Sequence, residues 1–226
     1  MGDQSRVFVR KLLIWYKKAA RCLPWRDTRN PYAILVSEFM LQQTQVSRVL
    51  EYYPRFMARF PTIDKLARAR PKAVMEQWEG LGYYARARNL HALARVVSKT
   101  HDGRLSDNPD ELQELPGVGR YTAGAVACFA YEKPVPAVDT NVRRVLTRVF
   151  GNAKVGMPNA ELWELASRLT PKHGKRAWRF NQAMMELGAL VCTARKPKCP
   201  QCPVNRHCAA VRSGTRIRNQ RLAHPE

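Results

Sequence analysis

Four cysteines near the end of the chain, Cys192, Cys199, Cys202 and Cys208, follow a C-x6-C-x2-C-x5-C spacing interrupted by Pro197, Pro200 and Pro203. Four thiolates in so short a stretch can close around a metal centre. His207 abuts Cys208 and stands at no ligand spacing, so the donor set is all sulfur. Either a [4Fe–4S] cluster or structural zinc satisfies it, and spacing alone does not separate the two. Arg195, Lys196, Lys198 and Arg206 lie between the ligands and would present positive charge to a polyanion. The other two cysteines, Cys22 and Cys128, fall in segments of helical pattern and read as small buried apolar residues.

Two carboxylates stand out by their surroundings. Around Glu38, the positions three and four residues away are Leu35, Leu41, Ile34 and Gln42, so its helix face is largely apolar. Desolvation there would favour the protonated acid and suit it to donate a proton near neutral pH; a Glu that snorkels to the surface or pairs with an Arg is the plainer reading. Asp139, in Val138-Asp139-Thr140-Asn141-Val142-Arg143-Arg144, stands where a new amphipathic helix should begin. As a bare observation it is an N-cap. The helix dipole at that position favours the ionised form, so Asp139 is expected to stay an anion while Glu38 holds a proton.

A third feature is Leu115-Pro116-Gly117-Val118-Gly119-Arg120-Tyr121-Thr122-Ala123. Its glycines permit backbone conformations that a Cβ resists, and amide groups in such a turn, together with the start of the following helix, can grip a phosphate without reading sequence. Alone, the same pattern fits an ordinary tight turn between two helices.

The elements that must carry these residues read as helices throughout. Apolar residues recur at helical spacing, as in Val7, Leu12, Leu13 and Tyr16, or Leu162, Leu165, Ala166 and Leu169. Helices are expected near residues 5–21, 31–43, 46–59, 63–69, 71–78, 84–101, 109–114, 119–131, 140–150, 159–169 and 174–192, punctuated by Pro61, Gly80-Leu81-Gly82 and Pro134. No strand pattern is convincing, so the fold class is all-α. The tail after Cys208 is basic, poor in large apolar residues and expected to be mobile.

A length of 226 residues with 45% hydrophobic content supports one sizeable core or two small lobes. The hydrophobic content argues against disorder; the formal net charge of +21, from 39 Lys and Arg against 18 Asp and Glu, makes nucleic acid the leading partner, and the spread of the basic residues along the chain argues against a membrane surface. Neither a targeting signal nor a membrane span is evident, which implies a reducing, cytoplasmic setting in association with the nucleoid. There cysteines serve metal or redox chemistry before disulfides.

Taken together, these motifs resemble the MutY-type adenine DNA glycosylases, relatives of endonuclease III in the helix-hairpin-helix superfamily. The resemblance covers about residues 23–208. It rests on Leu23-Pro24-Trp25-Arg26, Ser37-Glu38 through Gln42-Gln43-Thr44-Gln45-Val46, Gly80-Leu81-Gly82-Tyr83-Tyr84, Leu115 through Thr122, Val138-Asp139-x-Asn141, Phe180-Asn181-Gln182-Ala183-Met184-Met185 and the four cysteines.

The resemblance implies a helical barrel domain over 25–132 that contains the hairpin, and a cluster domain made of 1–24 plus 133–226, with substrate in the cleft between them. It moves the choice of metal centre to [4Fe–4S]. It further implies that adenine mispaired with 8-oxoguanine or guanine is flipped out of duplex DNA, that Glu38 protonates the departing base and that Asp139 stabilises the sugar cation. Tyr121 and Asn141 would orient that pair. Gln42, Gln43, Thr44 and Tyr83 would meet the opposing base and DNA, Gly117, Val118 and Gly119 the phosphates, and Arg26 and Gln182 the adenine pocket.

Lyase-type relatives carry Lys where this chain has Tyr121, so a monofunctional glycosylase is expected; the highly charged surface leads to the expectation of a monomer. Two departures qualify the match. The family's further C-terminal domain, which helps to recognise 8-oxoguanine, does not follow the cluster here, leaving open the preference for 8-oxoguanine over guanine. Thr140 stands where Gly is common. Tyr at position 121 also occurs in glycosylases that remove thymine or uracil opposite guanine, which is the alternative reading.

Overall fold

The computed structural model describes residues 2–151 and 156–214. Among the described residues there is no β-strand, and every extended element is a helix. The chain divides into two compact units, one of residues 22–133 and the other of residues 1–21 together with 134–226.

The contiguous unit holds α2 (Pro31–Leu41), α3 (Val46–Arg59), α4 (Ile63–Ala67), α5 (Pro71–Trp78), α6 (Ala85–Thr100), α7 (Pro109–Gln113) and α8 (Arg120–Tyr131), where α1 is the helix Asp3–Ala19 of the other unit. Its centre is α2, which packs against α3, α6 and α8. Every residue from Tyr32 to Met40 is buried, Ser37 and Glu38 included. A helix apolar around its whole circumference can only be a core helix, which is why it shows little amphipathicity.

Its start is set by Asn30 and Pro31. The Asn30 side chain accepts hydrogen bonds from the amides of Tyr32 at 2.9 Å and Ala33 at 3.3 Å, and Pro31 needs no amide partner at the first helical position. Around it, Phe56 meets Phe60 and Trp78 edge-on at 5.1 and 5.9 Å, and the Tyr32 hydroxyl donates to the Phe60 carbonyl.

The other unit packs α11 (Gly174–Leu190) against α1 and α9 (Thr140–Phe150), with α10 (Asn159–Leu169) against α9. Phe8 and Leu12 of α1, Val145 and Leu146 of α9 and Ala183 and Leu187 of α11 are all fully enclosed in this core. Glu186, buried in α11, is paired with Arg21 at 2.9 Å. Asn181 fastens the approach to α9, because its side chain accepts from the Ala137 amide and donates to the Val135 carbonyl.

Several local expectations need correction. Helix α1 ends at Ala19 and α2 at Leu41, each two residues earlier than the periodicity predicts. Cys22 is exposed rather than buried, because the helix has already ended and the extended chain turns Leu23 and Trp25 inward. Cys128 is buried in α8. After Cys208 the chain forms a further short helix, α12 (Ala209–Arg212), with Ala210 buried, while 215–226 lie outside the described residues.

Because Asn30 satisfies two amides that open the central helix, Asn30→Ala is expected to lower unfolding stability by about 1 kcal/mol. The midpoint of chemical denaturation measures this; an unchanged midpoint would mean that the cap contributes nothing.

Candidate active site and metal centre

Packing of α8 on α2 brings together two of the side chains singled out from the sequence. The Tyr121 hydroxyl donates to Glu38 Oε2 at 2.7 Å. Glu38 is 4% exposed, so its carboxyl group depends on protein rather than water for its hydrogen bonds. Tyr121 is the second residue of α8, and the turn before that helix sets its position. In this turn Gly117 has φ +76°, and a Cβ there would come within 2.7 Å of Asn89 Cβ and 3.1 Å of the Phe39 ring. Gly119 is the N-cap of α8 and, having no side chain, supplies no side-chain cap to the helix. Val118, buried between the glycines, donates its amide to the Leu115 carbonyl.

In the second unit Asp139 is the N-cap of α9. Its Oδ1 accepts from the Val142 amide at 2.7 Å and its Oδ2 from the Asn141 side chain at 3.0 Å. Asn141 in turn accepts from Arg144 Nη2 at 2.6 Å, and Arg144 also donates to the carbonyls of Cys192 and Gly188, both at 2.8 Å. Gly188 lets α11 approach: a Cβ on it would lie 2.6 Å from Asn141 Cβ.

The direction of the Asp139 shift differs from the one its helix-start position suggests. Asp139 is half-buried as a residue, but its carboxyl group is enclosed, and burial raises its pKa above the usual carboxylate value. The donors of Val142, Asn141 and Arg144 pull the other way without cancelling that effect. The helix start stabilises charge as the sequence suggests; the enclosure is tertiary and opposes it.

The four cysteines are unpaired and line one apolar cavity with Val145, Val149, Leu187 and Val191. Cys192 follows the end of α11, Cys199 and Cys202 bracket a tight turn, and Cys208 precedes α12. Arg148, 1% exposed, donates to Cys192 Sγ at 3.5 Å and to the carbonyls of Thr193 and Ala194, while the Cys208 thiol donates to the Arg148 carbonyl. Burial pushes the Cys202 thiol up to about 12 and raises those of Cys199 and Cys208.

Burial disfavours the free thiolates of Cys199, Cys202 and Cys208, so a cationic group that replaces their protons suits this loop. A donor set of four thiols around one apolar cavity fits an iron–sulfur cluster.

The remaining predicted residues lie on loops and on α11. Gln42 ends α2, Gln43 adopts φ +56°, and the Thr44 hydroxyl donates to the Gln42 carbonyl. Tyr83 adopts φ +48° and is 60% exposed. Arg26 closes the short turn Pro24–Arg26, and Gln182 is buried in α11. Arg26, Glu38, Gln42, Gln43, Thr44, Tyr83, the hairpin and Tyr121 thus belong to one unit, and Asp139, Asn141, Gln182 and the cysteines to the other. Sequence reasoning missed Arg86, Arg144 and Arg148. Arg144 and Arg148 are four residues apart on the buried side of α9, beside Val145 and Val149; that apolar company was their only signal.

A glycine turn leading into α8, a buried Glu–Tyr pair and a four-cysteine loop are the features of a helix-hairpin-helix base-excision protein with an iron–sulfur cluster. Residues 36–169 match the HhH-GPD superfamily of base excision DNA repair proteins, to which the chain belongs, and residues 192–208 match the iron-sulfur binding domain of endonuclease III. Within that superfamily it is a MutY-type chain with a [4Fe–4S] cluster.

It is 47% identical over 196 residues to the adenine DNA glycosylase of Mycobacterium tuberculosis, covering 86% of this chain and 64% of that protein. It is 45% identical over 211 residues to that of Homo sapiens, covering 88% and 38% respectively. The chain therefore spans less than two thirds of the length of these relatives. Among solved structures, a thermostable thymine-DNA glycosylase is 34% identical with a TM-score of 0.86, over 93% of this chain and 97% of that one. A trapped endonuclease III–DNA covalent intermediate is 25% identical with a TM-score of 0.80, over 96% and 100%.

Two measurements probe this chemistry. A carboxyl group that binds its proton more tightly folded than unfolded loses stability as pH rises from the ordinary carboxylate range through its raised folded value. Asp139→Asn should therefore raise the melting temperature at neutral pH, with the gain vanishing below about pH 4; a gain that persists in acid would contradict the shift. The purified protein should absorb in the visible and bleach on oxidation, and Cys202→Ala should abolish the band. A colourless wild-type protein that holds one zinc would oppose the cluster.

Proposed function

We propose that the chain hydrolyses the N-glycosidic bond of adenine mispaired with 8-oxoguanine or guanine in double-stranded DNA, as a monomeric, monofunctional glycosylase of the cytoplasm and its nucleoid. The observation that carries this reading is the buried Glu38 carboxyl held by Tyr121, in a chain 47% identical to an adenine DNA glycosylase. A net charge of +21 supports a DNA partner, and among the described residues no helix is long and apolar enough to cross a membrane.

The first amides of α8, with Gly117, Val118 and Gly119, grip backbone phosphates without reading bases. The target nucleotide leaves the stack, because its glycosidic bond is inaccessible in the duplex. Glu38, shielded from water, delivers a proton to a ring nitrogen of adenine, so that the base departs neutral. Tyr121 keeps the Glu38 carboxyl oriented. Asp139, oriented by Asn141, stabilises the positive charge that develops on the sugar as the C–N bond breaks; water then adds to the sugar carbon and releases a proton, which restores the Glu38 acid. Gln42, Gln43, Thr44 and Tyr83 meet the opposing strand; Arg26 and Gln182 contact the extruded adenine. The cluster, when bound, cross-links the loop 192–208, whose Arg195, Lys196, Lys198 and Arg206 face a phosphate backbone.

Position 121 decides the fate of the sugar once the base has left. A lysine there could attack the sugar and form a Schiff base; a tyrosine has no amine to do so, and an abasic site is left. The similarity to a thymine-DNA glycosylase makes thymine or uracil opposite guanine the second reading.

Duplexes containing A opposite 8-oxoguanine, A opposite G, T opposite G and U opposite G, followed by alkali, separate the two. Cleavage at A is expected, and cleavage only at T or U would select the second. Glu38→Gln should slow single-turnover excision by roughly 100-fold or more with DNA affinity kept. Borohydride trapping of a protein–DNA adduct would refute the monofunctional assignment.

A further inference from the structure

Arg86, the second residue of α6, is 7% exposed, and among the described residues the groups it binds are main-chain carbonyls rather than a carboxylate. Nη1 donates to the carbonyls of Phe39 at 2.9 Å, Met40 at 2.8 Å and Gln42. Nη2 donates to those of Gly82 at 3.1 Å and Leu81 at 3.3 Å, and Nε reaches that of Tyr83 at 3.4 Å. The guanidinium lies 5.4 Å from the Trp78 ring centre and 5.5 Å from that of Tyr83, and Trp78 Nε1 donates to the Gly82 carbonyl.

Burying a cation without a counter-ion is costly, so this arrangement calls for a purpose. Phe39, Met40 and Gln42 supply carbonyls that α2 leaves unpaired at its C-terminal end, where the helix dipole favours positive charge. Leu81, Gly82 and Tyr83 belong to a different loop, so one planar fork ties two segments together. Each segment contains a non-glycine residue in the left-handed region, Gln43 at φ +56° and Tyr83 at φ +48°. Such conformations persist only where their surroundings over-determine them. Arg86 binds the carbonyl just before Gln43 and the carbonyl of Tyr83 itself. It backs the Tyr83 ring while leaving that residue 60% exposed.

We infer that Arg86 is the positioning residue that locks the Gln42–Gln43 and Gly82–Tyr83 loops into one rigid edge for reading the base opposite the extruded nucleotide. It acts through Tyr83 and does not touch DNA. The base-reading part of this inference rests on the function proposed above; the locking of the loops does not. Lysine would keep the charge but offers one compact donor group that cannot fork across two loops.

The test uses Arg86→Lys, Tyr83→Ala and the double variant, with far-UV circular dichroism and the thermal unfolding transition of the whole chain as the check on folding. The quantity read is the ratio of affinities for a duplex with A opposite 8-oxoguanine and the matched A–T duplex. Arg86→Lys and Tyr83→Ala should each lower that ratio about ten-fold, and the double variant should lower it no further. An unchanged ratio in Arg86→Lys, or independent losses that multiply in the double variant, would overturn the inference.

If wild-type protein shows no preference for this duplex, the proposed function fails, and the locking is judged by hydrogen exchange. Amides in 42–45 and 81–84 should then exchange faster in Arg86→Lys, and unaltered exchange would refute it. Should Arg86→Lys not fold, the Arg86 side-chain N–H protons of wild type serve instead. They should exchange slowly and be hastened by Tyr83→Ala, whereas fast exchange in wild type would reject the lock.

Discussion

A carboxyl group kept out of water is the constraint around which the contiguous unit is arranged. Glu38 sits in a helix buried from Tyr32 to Met40, so whatever satisfies its oxygens must come from neighbouring helices. The Tyr121 hydroxyl does this from α8. That requirement fixes how closely α8 lies on α2, and the hairpin glycine with Asn89 and Phe39 within contact of its missing Cβ shows how little slack the approach allows. In the proposed function, the group that would grip phosphate and the group that would orient the acid are thereby two ends of one short segment, residues 117–121. A backbone placed by phosphate contacts would carry its nucleotide to a fixed position relative to Glu38.

Helix α9 performs the matching task for the other unit. Its first turn holds Asp139 and Asn141, its second Arg144, and its third Arg148, whose guanidinium reaches Cys192 Sγ. Arg144 joins Asn141 to the Cys192 carbonyl. Helix α9 therefore links Asp139 to the four-cysteine loop, through Arg144 on Asn141 and the Cys192 carbonyl and through Arg148 on Cys192 Sγ.

Much of this was legible in the sequence because it is local. Asn30-Pro31 before an apolar run, Asp139 before Val142, and glycines at 117 and 119 each act within a few residues of themselves, and the structure has a helix start or a turn at each. Glu38 could be read as buried because every neighbour at helical spacing but one is apolar. What was not legible depends on residues distant in sequence. The end of α2 at Leu41 coincides with Arg86 binding its last carbonyls, and nothing within residues 31–45 announces that. The upward shift of the Asp139 pKa arises from tertiary enclosure, which cap chemistry does not reveal. Arg86, Arg144 and Arg148 count as three more positive charges in a chain of +21 until packing shows them enclosed.

The discontinuity of the second unit has a consequence for synthesis on the ribosome. Residues 22–133 form a continuous stretch that contains its own core and can fold as soon as it has emerged. Helix α1 emerges before it, but its partners α9 and α11 are made only after that unit is complete. Phe8, Val9, Leu12 and Tyr16 must wait through that interval without their native cover, so a helix made before the contiguous unit finds its place only after it.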